Sequence, residues 1–228
     1  MKSTPDNIDV LYEDNHLIVV NKKAGDIVQG DKTGDLPLSE IVKQYIKKKY
    51  DKPGNVFLGV VHRLDRPTSG AVIFARTSKA LSRMNDQLKN RQVKKTYHTI
   101  VKGKTPEKGT LIHYLKKNPK NNKSTAYEKE TPGSKRAVLH FRKLAESDRY
   151  SLLEIDLETG RHHQIRAQLA KTGYPVKGDL KYGYPRSNPG KGISLHAREL
   201  SFTHPVSKEK IKIIAPYPQE DIWNVFER

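Results

Sequence analysis

The chain has 228 residues with 43 Lys and Arg against 25 Asp and Glu, a net charge of +18 and a pI near 9.8, a surplus beyond what solubility needs that points to a polyanionic partner, nucleic acid first. It contains no cysteine, which excludes disulfides, thiolate chemistry and cysteine-ligated zinc. No apolar run approaches the roughly 18 residues of a membrane span, and Met1 to Asp6 hold no signal-peptide core, so the expectation is a soluble, cytoplasmic protein with no membrane contact.

A chain of this length can bury about 70% or more of its unfolded surface, which predicts one domain over residues 1–228. Ile8 to Tyr12 and His16 to Asn21 read as two strands joined by a turn at Glu13, Asp14 and Asn15. Pro37 opens a helix whose Ile41, Val42, Tyr45 and Ile46 share a face, with Lys47, Lys48 and Lys49 suited to the negative end of its dipole. The next stretch, His62-Arg63-Leu64-Asp65-Arg66-Pro67-Thr68-Ser69-Gly70, runs into the apolar Ala71 to Ala75, a buried strand bounded by Gly70 and a cap signal at Thr77 and Ser78. Asp65 therefore sits on a loop at a rigid edge. In such a loop an Asp serves as a turn former, and the basic and hydroxyl groups around this one also suit an ionised nucleophile or base.

Thr77 or Ser78 starts a helix with Leu81, Met84 and Leu88 on one side and Asn90 at its end. Val93 to Val101 alternates as a strand, placing Tyr97 on a partly buried surface where it reads as a core or interface aromatic. Between Thr110 and Tyr150 short strands alternate with polar turns; Arg136 to Phe141 and Ser151 to Leu157 read as neighbours, and the basic Lys116 to Lys123 reads as a loop or hairpin tip. Glu158 to Leu169 is a strand end, a glycine turn and a helix start, with Ile165 and Leu169 facing the core. Arg166 lies beside them, either at the surface or turned inward, where it requires a carboxylate. His162 and His163, placed on that helix, point about 100° apart and share one ion poorly, so no metal site is expected. The last element is a helix from Pro218 to Glu227 with Ile222, Trp223 and Phe226 on its apolar side.

The nonapeptide around Asp65 resembles the His-Arg-Leu-Asp-x-x-Thr-Ser-Gly motif of the RluA-type pseudouridine synthases, in which the aspartate carries the isomerisation of uridine in RNA. Asn21 to Gly25 resembles the family's Asn-Lys-Pro-x-Gly turn, with Lys23 in place of proline. The Lys95-Thr96-Tyr97 context resembles its tyrosine motif, whose ring packs on the target base and whose hydroxyl is placed for proton transfer. Gly160 to Arg166 resembles Gly-Arg-x-His-Gln-Ile-Arg, whose last arginine pairs with the catalytic aspartate, so the implied pair is Arg166 with Asp65; Gln168 stands where many members have histidine. Gly173 to Gly183 and Leu195 to Pro205 resemble its later segments.

The resemblance runs from about residue 8 to 220. It implies an α+β pseudouridine synthase fold, a mixed and largely antiparallel sheet with packed helices, and a basic cleft with Asp65, Tyr97 and Arg166 as catalytic residues. His62, Arg63, Arg66, Thr68, Arg161 and His163 are the candidates for holding RNA, ribosomal or transfer. It implies a monomer without a cofactor, and a catalytic domain that grips RNA itself, without the small N-terminal RNA-binding module of many relatives. Two other classes stay open: an RNA-binding or ribosome-assembly factor without activity, which the charge alone fits equally well, and a hydrolase of the nucleoside bond, which normally needs a second carboxylate beside Asp65.

Overall fold

Asp14 turns the N-terminal hairpin of β1 (Val10–Glu13) and β2 (Leu17–Lys22), its carboxylate accepting from the backbone N–H groups of His16 and Leu17 at 2.8 and 2.7 Å. These strands belong to the first of two units in a computed structural model that describes residues 2–31, 33–219 and 221–226. The first unit spans Met1–Lys95 and Ala197–Pro218, the second Thr96–His196 and Gln219–Arg228.

In the first unit α1 (Leu38–Lys49) begins after Pro37, which has no side chain to cap it. The carbonyls of Ile27 and Val28 accept from the N–H groups of Leu38 and Ser39 instead, at 2.7 and 3.2 Å. The loop before the helix is thereby tied to its end. A two-residue strand β3 (Gly59–Val60) is followed by β4 (Ser69–Ala75), in which every residue is buried. β4 runs antiparallel to β2 and lies next to β10 (Leu195–Thr203), which pairs with β11 (Lys210–Ile214). Val72 and Phe74 pack with Leu38, Val42 and Ile46 of α1, whereas Ala71, Ile73 and Ala75 pack with Ala80 and Met84 of α2 (Ser78–Lys89). Burial on both faces explains why the strand reads as a continuous apolar run. Thr77 caps α2 as expected, its hydroxyl accepting from Ala80 N–H at 3.1 Å.

The second unit is built on β5 (Lys94–Lys102), β6 (Lys108–Asn118), β7 (Lys123–Tyr127), β8 (Lys135–Glu146) and β9 (Tyr150–Leu157), in the order β5-β9-β8-β6-β7 with antiparallel pairing throughout. The basic stretch at Lys116 to Lys123 is the tip of the β6–β7 hairpin. α3 (Gln164–Lys171) packs on β6 and β7, where Ala167 joins Leu115, Ala126, Ala137 and Tyr182. The predicted C-terminal helix is shorter than Pro218 to Glu227: α4 covers Asp221–Asn224, Phe226 N–H turns back onto the Trp223 carbonyl at 3.0 Å, and Glu227 lies outside the described residues. Only Trp223 of its three apolar residues is buried, edge-on to His196, so one turn suffices. The strands and helices make the α+β class expected, and no described helix is long and apolar enough to cross a membrane.

Candidate active site

In the first unit, Asp65 opens a turn in which its carbonyl accepts from Thr68 N–H at 3.0 Å. The turn reading is thus right for its backbone, while its side chain remains half-buried and within the field of Lys22. Lys22 is 1% exposed, and its ammonium donates to three carbonyls, those of Lys23 (3.1 Å), Arg66 (3.0 Å) and Thr68 (2.6 Å). Burial pulls its pKa down to about 7 against the attraction of Asp26 and Asp65. Gly25 N–H donates to the Arg66 carbonyl as well, so the turn at the end of β2 clamps the Asp65 loop from beneath.

The other residues of the nonapeptide divide into inner and outer groups. His62 Nε2 accepts from Ile73 N–H at 3.2 Å, and burial together with the charge of Lys95 keeps the ring neutral, with a pKa of about 3. Thr68 is buried, and Gly70 adopts φ +115° where a Cβ would lie 2.4 Å from the Ala197 carbonyl oxygen. Those residues brace the loop. Arg63 is exposed, and Arg66 pairs with Asp35.

In the second unit, Tyr97 sits on β5 opposite Ile155 and is 8% exposed. Arg161 is exposed, its Nε donating to the Arg136 carbonyl at 3.0 Å. His162 and His163 precede the helix rather than lying on it. His163 is left-handed at φ +54° and cannot continue a helix, and the two rings stack with centroids 3.8 Å apart. His163 Nδ1 meets Tyr182 Oη at 3.0 Å; burial, then the charge of Arg166, hold its pKa at about 2. Among the described residues no group of His, Asp and Glu could hold a metal ion.

Arg166 is turned inward, as its need for a carboxylate implied, but the carboxylate that grips it within this unit was not foreseen. Nε donates to Asp179 Oδ2 at 2.7 Å and Nη2 to Oδ1 at 2.9 Å, and both residues are at least 95% buried. The Tyr182 ring lies 5.1 Å from the guanidinium carbon. Gln168, fully buried, donates to the Leu111 and Ala137 carbonyls and meets His113 Nδ1, a structural use of its amide. In the sequence Asp179 lies within the Gly173 to Gly183 segment, and Lys22 directly follows the strand read from His16 to Asn21.

The basic clusters are unequal. Lys48 and Lys49 are engaged by Asp6 and Glu13 at 2.6 and 2.7 Å, whereas Lys116, Lys117 and Lys120 project from the hairpin tip into solvent. Lys181 braces that tip through the carbonyls of Asn121 and Asn122.

The family profile described as RNA pseudouridylate synthase matches residues 16–171. An uncharacterized RNA pseudouridine synthase of Bacillus subtilis strain 168, YhcT, is 35% identical over 217 residues, 93% of this chain and 70% of that protein. The ribosomal large subunit pseudouridine synthase D of Neisseria meningitidis serogroup A is 35% identical over 244 residues, 97% of this chain and 61% of that protein. Human RNA pseudouridylate synthase domain containing 4 shares the fold, with a TM-score of 0.78, 22% identity and coverage of 96% of this chain and 90% of its own.

Proposed function

The chain belongs to the RNA pseudouridylate synthase family, isomerases that convert uridine to pseudouridine in RNA, and on that premise we propose that it modifies uridines of structured RNA, ribosomal or transfer, with Asp65 as the catalytic residue and residues 1–228 working as one catalytic domain. The observation that carries the reading is the family's His-Arg-Leu-Asp motif on a loop anchored by buried Lys22 and leading into the fully buried β4. Such anchoring suits a carboxylate that must meet a reacting base in one geometry.

The reaction breaks the C1′–N1 bond, turns the uracil and forms the C1′–C5 bond; N1 gains a proton and C5 loses one, so composition is unchanged. It needs a base lifted from its stack, a carboxylate beside sugar and base, and exclusion of water while the uracil is detached. Asp65 serves by attack on the sugar, attack at C6, or removal of the C2′ proton, all within reach of carboxylate chemistry. Tyr97 supplies a ring to pack on the base and a hydroxyl for proton transfer, and Arg166 keeps the catalytic carboxylate ionised. Arg63, Arg66 and Arg161 hold phosphate, with His62, Thr68 and His163 shaping the RNA site. The neutral rings of His62 and His163 contribute shape and hydrogen bonding rather than charge.

The deciding experiment is Asp65→Asn on folded protein. Pseudouridine, read by nucleoside mass spectrometry, disappears while RNA affinity survives, because removing an anion does not weaken phosphate attraction. Isomerisation at the wild-type rate would remove Asp65 from the mechanism, and free uracil from the unaltered chain would make it a hydrolase.

A further inference from the structure

We infer that Asp179 is a positioning residue that sets which edge of the Arg166 guanidinium is presented for catalysis. The inference rests on the functional reading above. A guanidinium has five N–H donors in a planar fork, and the bidentate contact with Asp179 takes the Nε–H and one Nη2–H along the side edge. The end edge, formed by Nη1 and the second Nη2–H, is thereby aimed away from Asp179 in a fixed plane, the arrangement that takes a second carboxylate or a phosphate end-on.

The same short segment also sets a ring beside the guanidinium. Asp179 immediately precedes a 3₁₀ turn, Leu180–Tyr182, and residues three apart on such a turn eclipse one another. Asp179 and Tyr182 therefore act on Arg166 together, one on its edge and the other through its ring, over which the guanidinium carbon lies 5.1 Å from the centroid. Tyr182 is pinned in turn: its hydroxyl accepts from Ser124 N–H at 2.8 Å and meets His163 Nδ1 at 3.0 Å. A buried ion pair is a poor route to stability, since its desolvation cost offsets the attraction. Orientation of a charged group is what this one supplies.

The test is a double-mutant cycle with Asp179→Asn and Arg166→Met, following single-turnover pseudouridine formation, RNA affinity and, on ¹⁵N-arginine-labelled protein, hydrogen exchange at Arg166 Nε–H. Asp179→Asn lowers turnover by about 10- to 100-fold, with RNA affinity changed less than about twofold. Added to Arg166→Met it costs nothing further, because it acts only through that side chain. Multiplying losses, or equal losses of turnover and affinity, would make Asp179 a merely structural residue. Asp179→Glu retains the charge while moving it by one methylene; it is the variant to use if Asp179→Asn does not fold, with the same turnover loss expected and wild-type turnover overturning the inference. The exchange measurement separates the two levels of argument. A Nε–H that exchanges in the unaltered protein as fast as those of surface arginines defeats the Asp179 inference whatever the activity. A protected Nε–H in a chain that isomerises no RNA upholds the clamp and defeats the functional reading instead.

Discussion

The Lys22 ammonium donates to the Thr68 carbonyl at 2.6 Å, a bond between the last residue of β2 and the loop that begins at Asp65. Forty-six residues separate the two, and neither the Lys22 charge nor the Thr68 carbonyl meets water. Replacing Lys22 with Met removes a donor from all three carbonyls, although that of Arg66 keeps Gly25 N–H and that of Lys23 keeps Asp26 N–H. The expected result is a loss of roughly 2–4 kcal/mol in denaturant unfolding, with turnover falling further than the folded fraction explains. A Lys22→Met protein of wild-type stability and turnover would show that the clamp is dispensable.

Gly70→Ala tests the close approach of β10 to the motif. The new Cβ would meet backbone rather than a flexible side chain, at 2.4 Å from Ala197 O and 2.5 Å from its N, and the residue is at positive φ. Gly25→Ala is the comparison, since Gly25 is also at positive φ (+96°) but nothing lies within 4 Å of its Cβ position. The second change costs roughly 1–2 kcal/mol of left-handed strain; the first costs more, visible as a lower denaturant midpoint or failure to fold. Equal costs would mean that β10 yields.

His163 makes the fold sensitive to acid. Its pKa is about 2 in the folded chain against 6.5 ordinarily, so below pH 6.5 the unfolded chain takes up a proton that the folded one refuses, and stability falls with pH toward about 2. Asn tolerates a left-handed backbone and does not titrate. With His163→Asn, the slope of unfolding free energy against pH between roughly 4 and 6 should flatten by about one proton, or about 1.4 kcal/mol per pH unit. An unchanged slope would place the titration elsewhere.

Tyr97→Phe keeps the ring and removes the hydroxyl. Turnover should fall by more than RNA affinity; matched losses would assign Tyr97 to binding alone.

RNA affinity should fall steeply with salt, with a logarithmic slope of about 0.7 per phosphate contact for single strands. Replacing Lys116, Lys117 and Lys120 of the hairpin tip by Ala should reduce that slope, whereas Lys48→Ala, which removes a lysine already paired with Asp6, should leave it nearly unchanged. The reverse result would move the RNA surface from the hairpin to α1.

Sequence by itself determined the elements whose causes are local. The apolar run of β4, a cap at Thr77 or Ser78 and the nonapeptide around Asp65 are each set by residues within a few positions of one another, so spacing and turn chemistry suffice to read them. Tertiary structure decided everything that depends on partners distant in the chain. It made Lys22 a buried clamp, assigned Asp179 to Arg166, turned His163 left-handed and so took the histidine pair off the helix, and reduced the last helix to a single turn around Trp223. A buried charge declares only that it needs a partner of opposite sign or a set of dipoles. Which one it finds is settled by packing, because the desolvation penalty falls on whatever groups the fold brings together.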